Sequence, residues 1–194
     1  MTDTTWLVVG LGNPGDEYAT TRHNAGFLVV NELARRTGGR FKAHRSRCDV
    51  VETRIEGHRA VLAKPRSFMN ESGGPVSALC DYYKVEPGRL VVVHDELDIP
   101  FSTLRLKLGG GDNGHNGLKS VRRSLGTGDF LRLRVGIGRP PGRMDPSAFV
   151  LKPFASAERK DLDWLIDRSA DAIESLLADG LEAAQNIYHA ERTT

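Results

Sequence analysis

The sequence predicts a single α/β domain built on a mixed, mostly parallel, twisted sheet flanked by helices. Three observations carry this. Apolar, strand-like runs interleave with amphipathic helical stretches along the chain, the pattern of parallel strands joined by helical crossovers. One pair of runs is separated by only two turn residues, which requires an antiparallel hairpin and makes the sheet mixed. The 194 residues match the size of one domain, with no internal repeat, low-complexity tract or linker, so 1–194 reads as one unit with 190–194 as a loose tail.

The elements follow in order. Trp6-Leu7-Val8-Val9-Gly10-Leu11 is a short apolar run and reads as a buried strand, stopped by Gly12-Asn13-Pro14-Gly15. A helix begins near Asn24, with Phe27, Val30, Leu33 and Ala34 on one face, and ends at Gly38-Gly39. Residues 48–55 and 58–63 form the hairpin about Glu56-Gly57. A second helix lies between Gly74 and Lys84, with Pro75 in its first turn. Leu90-Val91-Val92-Val93 is the clearest strand and ends in His94-Asp95-Glu96. Thr103–Leu108 alternates as a strand, 109–114 is a glycine-rich loop, and 118–125 a short basic helix. Leu131–Ile137 alternates again, with Arg132 and Arg134 on one side. A long helix covers 156–179, closed by Gly180, and 181–189 forms a final short one.

A net charge of +2 conceals alternating blocks. Residues 22–66 carry eleven bases against four acids and 101–143 nine against two, whereas 156–182 carry three bases against eight acids. The two basic blocks either converge on a face for a polyanion or are separate solvated surfaces. Two cysteines cannot build a disulfide framework or a four-ligand zinc site. No apolar run approaches the ~18 residues of a membrane span, and the N-terminus lacks the basic start of a signal peptide, so a cytoplasmic protein without membrane partners is expected.

Gly10-Leu-Gly12-Asn-Pro-Gly15 matches a dinucleotide-binding fingerprint. Pro14, however, biases Asn13 away from helical geometry, and the amphipathic pattern starts about ten residues later than that fold requires. Polar clusters instead gather at strand ends: Asn13 with His23, Asp95, His115-Asn116, and Phe68-Met69-Asn70 before the second helix. No nucleophile elbow exists, which leaves a histidine and a carboxylate acting on water, with asparagine amides as neutral donors. Blander roles stay open at this point: Asp95 as a turn former, Asn70 and His115-Asn116 as helix caps, Asn13-Pro14 as a turn pair. A metal site of His94, Asp95, Glu96 and His115 has no recognised ligand spacing behind it.

Taken together these clusters resemble the bacterial peptidyl-tRNA hydrolase family. The residues that carry the resemblance are Val9-Gly10-Leu11-Gly12-Asn13-Pro14-Gly15, Tyr18, Thr21-Arg22-His23-Asn24-Ala25-Gly26, Phe68-Met69-Asn70-Glu71-Ser72-Gly73, His94-Asp95-Glu96-Leu97-Asp98, Gly114-His115-Asn116-Gly117-Leu118-Lys119 and Arg132–Gly138. It spans essentially the whole chain. It implies hydrolysis of the ester between a peptide and the terminal ribose of tRNA, without metal or cofactor. It also implies a monomer, with the large ribosomal subunit as a further candidate partner; a non-catalytic tRNA-binding module is the alternative. By position, His23 would be the general base and Asp95 its orienting partner. Asn13 would separate blocked from free aminoacyl groups. Asn70 and Asn116 would bind the peptide and the tRNA end, with Asn116 also near the water or oxyanion. Tyr18, Phe68 and Met69 would line the cleft, and Arg105, Lys107, His115, Lys119 and Arg134 would contact phosphates. One departure from the family pattern, Asp112-Asn113, falls in the glycine-rich loop, expected to be mobile, and bears on local RNA contacts.

Overall fold

Among the described residues, seven strands form one sheet in the order β2-β3-β4-β1-β5-β7-β6. They are β1 Trp6–Gly10, β2 Lys42–His44, β3 Cys48–Ile55, β4 His58–Pro65, β5 Leu90–Glu96, β6 Leu104–Leu108 and β7 Leu131–Gly136. The computed structural model describes residues 4–190; the expected loose tail lies, from residue 191 on, outside the described residues. The four central strands β4-β1-β5-β7 are parallel, and the outer pairings β2–β3, β3–β4 and β6–β7 are antiparallel. The expected hairpin closes at Ile55↔His58, with φ of 51° at Glu56 and 79° at Gly57, the positive pair that a two-residue hairpin turn demands.

Helices α1 (Ala25–Thr37) and α5 (Ser156–Asp179) cover one face; α2 (Gly73–Tyr83) and α3 (Asn116–Leu125) cover the other. Strand alternation divides the core between them. Val8, Val91 and Val93 join the first layer, and Leu7, Val9, Leu90 and Val92 the second. Short helix α4 (Pro146–Val150) and the final α6 (Leu181–Tyr188) complete the set. Polar β2 and short α4 carry little apolar pattern and do not emerge from the sequence.

The glycines of the fingerprint-like motif serve packing. A Cβ on Gly10 would lie 2.2 Å from Gly26 O, and one on Gly26 would lie 2.3 Å from Val93 O. Backbone therefore meets backbone where α1 crosses β1 and β5. The helix does not open within the glycine run, as a pyrophosphate site would need. A short 3-10 turn, Arg22–Asn24, leads into α1 and sets His23 beside the carboxyl end of β5.

Candidate active site

The site lies at the carboxyl edge of the parallel strands, the position such sheets favour. β5 continues through His94, Asp95 and Glu96 rather than stopping at Val93, and all three are buried. Asp95, 2% exposed, lies within reach of two imidazoles. Its Oδ2 is 2.8 Å from His23 Nδ1, and its Oδ1 is 2.9 Å from His115 Nε2 and 3.0 Å from His23 Nδ1.

The tautomers follow from these contacts. His115 Nδ1 accepts from the Gly117 and Leu118 N–H groups at 3.1 and 3.3 Å, capping α3. Its proton must then sit on Nε2, which donates to Asp95. Both ring nitrogens of His115 are thus engaged within the protein, one as helix cap and one as carboxylate partner. His23 donates Nδ1–H to the same carboxylate and keeps a bare Nε2 on the far side of the ring, where the residue lines the cleft.

Burial alone would lower the His23 pKa; the charge and hydrogen bond of Asp95 outweigh it and raise the group above its ordinary 6.5. Burial would raise the Asp95 carboxyl, but attraction and hydrogen bonds from His23 and His115 hold it well below the usual carboxylate range. His94 is fully buried, donates Nδ1–H to Asp95 O at 2.7 Å, and is pushed down to about 3 by desolvation and by neighbouring His115. It stays neutral and adds no competing charge.

Donor atoms of His23, Asp95 and His115 fall within 4.8 Å of one another. A cation among them would have to strip His115 Nε2 of its proton while Nδ1 is fixed as an acceptor. Glu96, expected beside them in a metal reading, instead accepts from Asn113 Nδ2 at 2.6 Å and Asp98 N at 3.2 Å. The donor set fits hydrogen bonding rather than metal ligation.

Asn13 also lines the cleft. Its backbone is clamped by Asn24, whose Oδ1 accepts from Asn13 N at 2.8 Å and whose Nδ2 donates to Asn13 O at 2.9 Å. Asn13 Oδ1 accepts from Met69 N–H at 2.7 Å. A backbone N–H can only donate, so the amide orientation is determined and Nδ2 is left for the cleft. Asn24 is a supporting residue that sequence reasoning missed, although it stands inside the motif; its buried amide next to a histidine is the available signal.

The cleft encloses about 580 Å³. Tyr18 and Phe68 form one wall, their rings 6.5 Å apart edge-to-face, and exposed Asn70 and Asn116 project along its sides. Val150 and Leu151 close the far wall. Arg22 anchors the histidine turn to that wall through Phe149 O at 3.1 Å and Glu158 at 3.0 Å. This long-range tie had no sequence signal.

A sequence model of the Peptidyl-tRNA hydrolase family matches residues 7–194. The chain belongs to the peptidyl-tRNA hydrolase family. It is 67% identical over 188 residues to the peptidyl-tRNA hydrolase of Frankia casuarinae, covering 97% of this chain and 95% of that one. It is 60% identical over 190 residues to that of Streptomyces coelicolor, covering 95% and 94%. A crystal structure of peptidyl-tRNA hydrolase from Acinetobacter baumannii superposes with a TM-score of 0.91 at 38% identity, covering 99% of this chain and 98% of that one.

Within this family member the basic residues lie outside the cleft. Lys119 lines a separate hollow of about 310 Å³ with Arg122 and Arg123. Arg105 stands directly opposite Arg134, and Lys107 opposite Arg132, across the β6–β7 pairing. Like charges so placed repel. Arg132 relieves part of this by donating to the Gly110, Gly111 and Gly128 carbonyls. These bonds tether the glycine-rich loop to β7. Asp112 accepts from Gly114 N at 3.0 Å and pairs with Arg122 at 3.3 Å, while Asn113 donates to Glu96 and Asp98. The Asp112-Asn113 departure is thus part of the tether. Among the described residues, no helix is long and apolar enough to cross a membrane.

Proposed function

We propose that the protein hydrolyses the ester joining a peptide, or an N-blocked aminoacyl group, to the terminal ribose of tRNA. The observation that carries this is the His23–Asp95 hydrogen bond of 2.8 Å, which fixes a bare Nε2 at the cleft. His23 takes a proton from water as that water attacks the ester carbonyl; Asp95 stabilises the resulting imidazolium. The proton then passes to the departing ribose oxygen, with no covalent intermediate.

Asn13 directs amide N–H donors at the substrate. Such donors suit the carbonyl that only a blocked α-amino group carries, whereas a free α-ammonium sets donor against donor. Asn70 and Asn116 hold the peptide and the tRNA end, Asn116 also serving the water or oxyanion, and Tyr18, Phe68 and Met69 pack along the bound chain. Arg105, Lys107, Lys119 and Arg134 take tRNA phosphates, which makes binding salt-dependent. In this reading the protein works as a cytoplasmic monomer that recycles tRNA after premature termination, and large ribosomal subunits retaining peptidyl-tRNA are a second source of substrate.

The test compares release of N-acetyl amino acid from tRNA with release of the unblocked amino acid. His23→Ala should abolish hydrolysis of the blocked substrate and leave tRNA binding within about twofold of the parent. Normal turnover by His23→Ala, or equal cleavage of both substrates, overturns the mechanism or the role of Asn13 respectively.

A further inference from the structure

The outer edge of β6 is covered by side chains from α6 and the residue that caps its C-terminus. Leu106 faces away from β7 with its main-chain groups. Its N–H donates to His189 Nε2 at 2.8 Å, and its C=O accepts from Gln185 Nε2 at 3.0 Å. One strand residue is thus satisfied on both sides by two side chains one helical turn apart. The flanking positions, Arg105 and Lys107, are the ones assigned to phosphate, and Arg105 pairs in register with Arg134. Among the described residues neither Arg105 nor Arg134 has a carboxylate partner; the Arg105 guanidinium folds back onto Leu104 O at 2.8 Å. The strand must hold these cations against their mutual repulsion with no neighbouring β-strand on its outer side among the described residues.

We infer that His189, with Gln185, is a positioning residue for tRNA binding: the pair clasps Leu106 and so fixes where Arg105 and Lys107 present their charges. This rests on the phosphate role proposed above for those two residues. The clasp requires only an acceptor at position 189, so glutamine, whose Oε1 can accept, should replace histidine, and lysine, which cannot accept, should not.

The experiment measures the Kd of the full-length protein for uncharged tRNA, and kcat and KM for N-acetyl-aminoacyl-tRNA, in His189→Ala, His189→Gln, His189→Lys and Gln185→Ala, with Arg105→Ala as reference. His189→Ala and Gln185→Ala should each raise Kd and KM roughly three- to tenfold with kcat unchanged, as the loss of one hydrogen bond predicts. His189→Gln should restore tight binding, and His189→Lys should bind as weakly as His189→Ala despite its added positive charge. An unchanged Kd in His189→Ala and Gln185→Ala, with weakened binding in Arg105→Ala, overturns the clasp alone. Wild-type tRNA binding by Arg105→Ala overturns the phosphate reading on which it rests. A fall in kcat without a change in Kd, or tighter binding by His189→Lys, also overturns the clasp.

Discussion

Replacing Asp95 by asparagine removes one charge and one acceptor oxygen from a group serving two donors. His115 cannot adapt, because its Nδ1 is occupied by the Gly117 and Leu118 N–H groups and its Nε2–H must find an acceptor. The new amide therefore turns its oxygen to His115 and its NH2 to His23. With the nearer contact of His23 Nδ1 now an NH2, the proton is favoured on Nε2, the atom that must receive one from water. Loss of the base tautomer and of the charge stabilising the imidazolium together cost about 3–5 kcal/mol of barrier, or roughly 10²–10⁴ in kcat. KM should change little, since Asp95 is buried beneath the histidines.

Single-turnover hydrolysis of N-acetyl-aminoacyl-tRNA measures the effect. A second substitution makes the reasoning specific. In Asp95→Asn with His115→Ala, nothing competes for the amide oxygen, the amide can turn, and His23 regains its Nδ1–H tautomer. The double variant should run at least about tenfold faster than Asp95→Asn alone. If Asp95→Asn keeps more than about a tenth of wild-type kcat, or if the double variant is no faster, the tautomer argument fails.

Because Asp95 raises the His23 pKa, kcat/KM should fall on the acid side with an apparent pKa above the ordinary 6.5, measurable by a pH–rate profile. The same shift means that the contact stabilises the fold fully below about 6.5 and loses this as pH rises through the folded-state value. The lowered Asp95 value contributes above about 4 and is lost as pH falls through its own folded-state value, which denaturant titrations across pH would detect. Asn13→Asp keeps an acceptor for Met69 N–H but turns an oxygen toward the cleft; kcat/KM for the blocked substrate should drop roughly 10–100-fold and discrimination against the free aminoacyl ester should shrink. Gly26→Ala places a methyl 2.3 Å from Val93 O and 2.6 Å from Leu11 N, with main chain on both sides; calorimetry should show a loss of about 3 kcal/mol, or roughly 6–12 °C in Tm.

The central strands and the long helices were legible because their apolar patterns are uninterrupted. Lys42–His44 has no such pattern and becomes a strand only because β3 offers it a pairing edge. His94-Asp95-Glu96 looked like a strand end because polarity begins there; the strand continues because the Asp95 and Glu96 carboxylates meet His23, His115 and Asn113, and His94 Nδ1 donates to Asp95 O. His23, Asp95 and Asn13 stood out by residue type and position at strand ends, and the fold brings them to one cleft. The bond from His115 to Asp95 was not legible, since a histidine beside a basic helix serves equally as phosphate ligand or cap. The ties from Arg22 and His189 span 127 and 83 residues of sequence and leave no local trace.

Where α1 crosses the sheet, Gly10 and Gly26 let two main chains touch with no side chain between them. Side chains can hop between wells and carry whatever rests on them; peptide planes cannot. The platform under His23 therefore has few soft degrees of freedom, and hydrophobic repacking deeper in either layer should alter how firmly the molecule holds together long before it alters the aim of that ring.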